Sequence, residues 1–207
     1  MKVLVRVDDV GRIPGDQPSV GSDRKLEYFR RWRDCLGPEC HGIYGVVPAW
    51  VTSAAISQLK HDMTDGETLA QHGFDHVPGR VSCRFMEAGR QMLGGPECYI
   101  PPFNAYDEVD LRSWAECGGK VWLGGFHCDH GYGLEMSRQC GLDHWSAWMP
   151  LYGRAPAVLK ELRSLIDSGF DKTVVLTLHV PWDVGFAGLK ELGNVLRQVA
   201  IPLEIPK

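Results

Sequence analysis

Two hydrophobic periods take turns along this chain. Alternating or continuous β-branched runs of four to seven residues give way to stretches with an apolar residue every three or four positions. The first run, Val3-Leu4-Val5-Arg6-Val7-Asp8, reads as a strand over 3–8. A Gly-, Pro- and Ser-rich stretch from Ile13 to Asp23 follows. Next comes a helical pattern over 24–35, with Leu26, Phe29 and Trp32 on one stripe and Gly37-Pro38 as its stop. Further strands are expected at 43–47, 67–71, 98–100, 120–123, 173–178 and 201–205. Helices are expected at 53–61 with Ser53 as cap, at 82–93, from Asp107 to Gly118-Gly119, at 155–168 and at 187–199. The stretch from 124 to about 150 shows neither period. Strands alternating with helices argue for parallel strands joined by crossover helices, so the fold class is α/β. About seven such strands can close into an incomplete barrel, and the pattern alone equally allows an open sheet. No repeat or linker marks a boundary, so residues 1–207 are read as a single domain.

Composition narrows the function classes. The chain has 207 residues, 44% hydrophobic and 23% charged, which suits a globular protein with a substantial core. A net charge of −4 and a pI near 6.0 give no basic field to draw nucleic acid or anionic lipid. The one dense basic run, Arg30-Arg31-Trp32-Arg33, reads as a solvated helix face. No stretch reaches the roughly 18–20 apolar residues of a membrane span, and no apolar signal segment precedes the first strand. Seven cysteines, an odd and scattered set, do not look like a secreted disulfide framework. Free thiols and a cytoplasmic location are therefore expected. Cys35-x4-Cys40-His41 has metal-like spacing without a second pair, and reads as structural.

Three places carry candidate chemistry. Asp8 and Asp9 are adjacent on a strand, where neighbours face opposite ways. They can converge only if the strand ends and the backbone turns, and Gly11 can supply that turn. Burying both acids is costly unless something pairs with them. A metal ion would compensate, although the pair also fits a strand ending in a solvated acidic turn. His72 and His76, four apart, share a face in either helix or strand. Gly73 and Pro78-Gly79 argue against a helix there, so both imidazoles are placed on a loop leaving a strand; the pair suits a divalent metal but also fits one surface and one satisfied core histidine. His179 stands at the end of the 173–178 strand, where parallel α/β folds gather ligands, although taken alone it equally fits a histidine capping a buried strand. His127-Cys128-Asp129-His130 is a second cluster by residue type. It is read first as a polar loop over the barrel mouth, then as a substrate-contacting loop. Trp50, Trp145, Trp148 and Trp182 could stack on a sugar ring, though aromatic residues belong to cores more often.

In chain order, Asp8-Asp9, His72-x3-His76, Tyr99-Ile100-Pro101-Pro102-Phe103-Asn104 and Leu178-His179 resemble the polysaccharide deacetylase family, carbohydrate esterase family four in its broad sense. The match is with its short divergent branch reading D-D-V-G or D-D-x-G, and it spans about residues 3–182. The resemblance implies a distorted, incomplete (β/α) barrel of about seven parallel strands. It implies a metal-dependent hydrolase that removes an N-acetyl group from an acetylated sugar, sugar nucleotide or glycan. Asp9, His72 and His76 would hold a divalent metal, zinc first, with nickel, cobalt or iron as substitutes. Asp8 would be general base and His179 general acid. Pro102, Phe103, Asn104 and Trp182 would form the substrate and oxyanion side, with a backbone N–H near Phe103 or Asn104 as donor. There are two departures: where the family carries an arginine that holds the catalytic aspartate, this chain has Ile100, and the family's fourth motif, an aspartate and tryptophan that support the late histidine, is matched only loosely. Either Arg6, two residues before Asp8 and on the same strand face, or the metal alone is the candidate replacement for the arginine, although Arg6 also fits a sheet-face residue in solvent or in an unrelated ion pair. Asp143, in Leu142-Asp143-His144-Trp145, is the candidate support for His179. The alternatives are an inactive carbohydrate-binding barrel, the related chito-oligosaccharide deacetylase branch, and a metal-dependent amidohydrolase acting on a non-sugar amide such as a cyclic ureide.

Overall fold

The valine-rich N-terminal run forms strand β1 (Lys2–Val10), and its alternation sorts the molecule into an inside and an outside. Val3, Val5 and Val7 pack outward into a cluster with Phe29, Trp32, Leu162 and Leu192. Leu4 packs inward with Ile43, Ala70, Ile100, Val121, Leu123 and Val175. The computed structural model describes residues 1–12, 23–77, 83–124, 139–145, 151–182, 186 and 188–205. The other strands are β2 (Ile43–Val46), β3 (Thr68–His72), β4 (Cys98–Ile100), β5 (Val121–Leu123), β6 (Asp143–Trp145), β7 (Leu151–Tyr152) and β8 (Thr173–His179). They form one sheet in the order β6-β5-β4-β3-β2-β1-β8-β7, every pair parallel. No β6–β7 pairing closes the ring among the described residues, so the barrel is incomplete, as expected.

The helices are α1 (Asp23–Leu36), α2 (Ser53–Asp62), α3 (Cys83–Met92), α4 (Glu108–Glu116), α5 (Ala155–Asp167) and α6 (Leu189–Leu196). The cap of α2 is Thr52, one residue before the expected Ser53, and its hydroxyl accepts from Ala55 N at 3.1 Å. Asp107 and Asp110 form a capping box at α4. Leu111, Trp114, Leu159 and Leu162 are buried as the three- to four-residue spacing of their helices predicts, and Leu165, expected on the same face, is half-buried. None of these helices is long and apolar enough to cross a membrane.

Three expectations change. Residues 201–205 do not form a strand; a single bridge joins Val3 to Ala200, flanked by Val3 N–H to Val199 O and Ile201 N–H to Val3 O, both 2.9 Å. Pro202 has no N–H with which to continue the ladder. Strands β6 and β7 account for a count of eight against about seven. Strand β6 opens on the polar pair Asp143-His144 and β7 has two residues, so neither shows the apolar run that marks the equally short β4 and β5. The basic run is also not uniformly solvated. Arg33 is buried and donates Nε and Nη2 to Glu67 Oε1 and Oε2 at 2.8 and 2.5 Å. Glu67 also accepts from the Tyr44 hydroxyl and, at 2.7 Å, from Thr64 N–H. This network lies beside the starts of β2 and β3, at the N-terminal end of the strands.

Candidate metal centre

A bulge, not a strand end, brings the two acids together. Val7 pairs with Tyr44 and Val10 with Val46, so three steps along β1 match two along β2. Asp9 takes up the extra step at φ 60, and β1 continues through Val10. Without it Asp9 would face outward and Val10 inward. With it, Val10 joins the outer cluster and Asp8 and Asp9 share one cavity. The expected break at the acids is therefore corrected. Gly11 turns the chain one residue after the strand, at φ +106, where an added Cβ would meet Val51 at 2.8 Å.

His72 is the last residue of β3, and His76 follows in the loop at φ 60. His72 Nδ1 donates to Ile100 O at 3.0 Å, which leaves the Nε2 lone pair facing the acids. Gly73, at φ +65, lets the loop pass Pro102, whose Cγ would lie 2.6 Å from an added Cβ. His72 Nε2, His76 Nε2 and Asp9 Oδ1 are separated by 3.1, 3.2 and 3.7 Å. A circle through three such points has a radius of about 1.9 Å, close to the roughly 2.0–2.2 Å of zinc–nitrogen and zinc–oxygen bonds. Asp9 Oδ1 is buried and accepts no hydrogen bond. An orphaned buried carboxylate oxygen between two imidazoles is what a cation would satisfy, so these residues fit a divalent metal. No other group of three or more His, Cys, Asp or Glu side chains converges this tightly among the described residues. His127 to His130 lie outside them.

Arg6 is fully buried and grips Asp8 with both ends of its fork: Nε to Oδ1 at 2.8 Å and Nη2 to Oδ2 at 2.6 Å. Its Nη1 donates to Asn104 Oδ1 at 2.6 Å and to Leu123 O at 3.2 Å. Ile100, at the family arginine's place, instead fills the barrel interior. Burial by itself would raise Asp8, but the Arg6 charge and hydrogen bonds overcome it and hold the carboxyl at about 2. Asp9 lacks such a partner. Burial pushes it up to about 6, with the Asp8 charge adding and His179 opposing. Burial also holds His72 down at about 3 and lowers His76 and His179, so all three imidazoles are neutral near pH 7.

His179 ends β8 opposite Asp8 in register, with Nε2 3.9 Å from Asp8 Oδ2. Trp182 stacks on it, centroids 4.1 Å apart and planes 11° apart. A cavity of about 260 Å³ is lined by Asp8, Asp9, Arg12, His72, His76, Phe103, Asn104, His179 and Trp182. Phe103 and Asn104 are left-handed, at φ 56 and 53. Four of the six non-glycine residues at positive φ among the described residues thus lie in this wall. Of the two backbone N–H groups expected as donors there, that of Asn104 is taken by Pro101 O at 3.1 Å. Pro102 is buried behind the wall, against Gly73. Trp50 packs beside His76 at 5.3 Å and is nearly buried. The side chains of Asp143 and Trp145, and all of Trp148, lie outside the described residues. Arg12 had no sequence signal. Its half-exposed guanidinium sits 4.0 Å from Asp9.

No family model matches the chain, and no curated protein does. Solved structures do. A family 4 carbohydrate esterase from Streptomyces lividans, in complex with acetate, aligns with 99% of this chain and 93% of its own at 11% identity and a TM-score of 0.54. An uncharacterized protein from Agrobacterium tumefaciens aligns over 98% and 86% at 11% identity, with a TM-score of 0.64. A family 4 pseudoenzyme from Bacillus anthracis aligns over 95% and 60% at 8% identity, with a TM-score of 0.53. What these share with the present chain is architecture, and the chain has the fold of the family 4 carbohydrate esterases.

Proposed function

We propose that this chain is a metal-dependent hydrolase that removes an N-acetyl group from an acetylated amino sugar, sugar nucleotide or glycan. One observation carries the reading: an orphaned Asp9 oxygen and two imidazole nitrogens converge beside an ionised Asp8 and His179, all on one cavity. Asp9, His72 and His76 would hold a divalent cation, and this N₂O set suits zinc first, with nickel, cobalt or iron as substitutes. Such a cation polarises the acyl oxygen and lowers the pKa of water at the site.

This chain's own groups supply the rest. Arg6 keeps Asp8 ionised and fixes its orientation, the part that Ile100 cannot play. An acid held at about 2 is a weak proton acceptor, so Asp8 acts best as a relay that passes the proton on. His179 Nε2, 3.9 Å away, reaches hydrogen-bond distance with about 1 Å of side-chain movement. A proton taken from water by Asp8 then reaches the leaving amine through His179. Phe103 lines the same cavity, and its N–H would be the backbone donor to the developing oxyanion. Trp182 and Phe103 give the sugar ring two aromatic walls.

The test is an acetate-release assay on N-acetylated chito-oligosaccharides and an N-acetylated sugar nucleotide, with zinc added or chelated. Release that needs the cation supports the reading. Stoichiometric cation with no acetate from either substrate would overturn it, and point to a carbohydrate-binding barrel or to hydrolysis of a non-sugar amide.

A further inference from the structure

Two thiols far apart in the chain meet on the outer helix layer. Cys83 is the first residue of α3, and Cys117 directly follows α4. Their Sγ atoms are 3.2 Å apart, about 1.2 Å beyond the length of a disulfide bond. Cys117 Sγ also lies 3.5 Å from the Cys83 carbonyl oxygen, so the contact involves the first turn of α3 as well. Both residues are half-buried, within reach of a small reagent, whereas Cys40 and Cys98 are fully buried. Nothing in the proposed hydrolysis uses either sulfur.

We propose that Cys83 and Cys117 form a redox site, a dithiol that a small-molecule disulfide of the glutathione class converts to an intramolecular disulfide. One protein thiolate attacks the reagent, forming a mixed disulfide and releasing one small thiol. The second thiolate attacks the protein sulfur of that mixed disulfide, forming the Cys83–Cys117 bond and releasing the second small thiol. The protein loses two electrons and two protons; the reagent takes up both pairs and leaves as two thiols. Burial pushes the Cys117 thiol up to about 12, with Cys83 adding, and the 3.2 Å separation lets whichever sulfur is left free resolve the mixed disulfide. The closed loop would contain β4 and the Pro102–Asn104 turn. These carry the Ile100 carbonyl that orients His72 and the Asn104 side chain that accepts from Arg6. Oxidation would therefore staple the wall behind the metal centre.

The experiment treats the purified full chain with oxidised glutathione, alkylates the remaining thiols, digests without reduction and maps linked peptides by mass spectrometry. The expected product is a Cys83–Cys117 peptide pair two hydrogens lighter than its parts. A rise in Tm of about 5–10 °C should accompany it and reverse with a dithiol reductant. Cys35→Ser should keep both signals, and Cys83→Ser should lose both. Glutathione retained on either cysteine without a crosslink, a linkage to another cysteine, or no reaction at all would each overturn the proposal.

Discussion

The barrel holds a buried arginine–carboxylate pair at each end, and the two are built to different standards. At the N-terminal end of the strands, Glu67 is saturated: Arg33 takes both oxygens, and the Tyr44 hydroxyl and Thr64 N–H fill the remaining positions. At the C-terminal end, Arg6 grips Asp8 in the same bidentate way, with one bond to each oxygen, but the next residue is left with a buried oxygen that accepts nothing. A satisfied pair tolerates burial and changes little with its surroundings. An orphan beside a satisfied pair costs free energy unless a ligand completes it. The contrast separates an ion pair that holds the fold from one that prepares a site, using geometry that both ends share.

The largest effects should come from the orphan and its imidazole partners. Asp9→Asn and His72→Ala are each expected to reduce acetate release to background. Folding, followed by circular dichroism, should be retained. Substantial residual turnover in either variant would erase the distinction between the two ends. Next come the two arginines. Arg6→Met and Arg33→Met each strand a buried carboxylate and should each lose about 3–5 kcal/mol in denaturant titration. Only Arg6→Met should also lower turnover, by a factor of about 10² or more, the scale of lost acid–base function. With saturating cation, its kcat/KM acid limb should move upward, because Asp8 loses the charge that holds it down. Equal turnover loss in both variants would make the two pairs equivalent.

Acid treats the two ends differently. Asp8 is held below its ordinary value, so its contribution to stability is full above about pH 4 and is lost between there and about pH 2. Glu67 is also lowered and weakens in the same direction. Asp9 has the opposite sign: it holds its proton more tightly in the folded chain up to about pH 6, and a cation must displace that proton. Titration calorimetry should therefore show zinc affinity falling about tenfold per pH unit below about 6. A pH-independent affinity between 5 and 7 would remove Asp9 from the ligand set. The smallest effect belongs to Trp182→Ala. Loss of the stack on His179 should cost about 0.5–1.5 kcal/mol of positioning, read as a two- to tenfold fall in kcat with bound metal unchanged.

The alternation of strands and helices was legible because β-branched runs and three-to-four spacing persist for whole elements. The inward set Leu4, Arg6, Asp8 follows from strand parity alone, and that parity pointed to Arg6 as the partner of Asp8. The bulge was not legible. An Asp at positive φ leaves no mark in composition, and only the offset against β2 reveals why Val10 turns outward after two acids. Strands β6 and β7 were not legible because, unlike the equally short but wholly apolar β4 and β5, β6 opens on Asp143 and His144 and β7 has only two residues, whereas Pro202 did offer a strand-breaking signal in 201–205. The nearness of Arg12 to Asp9 and of Cys83 to Cys117 depends on tertiary placement.

The central claim is that Asp9, not Asp8, belongs to the cation set, although the two are neighbours in sequence and share one cavity. Metal analysis of Asp8→Asn and Asp9→Asn, each loaded with zinc and dialysed at pH 7.5, tests it directly. The account predicts about one zinc per chain in Asp8→Asn and none in Asp9→Asn. Zinc lost from Asp8→Asn and kept in Asp9→Asn would contradict it.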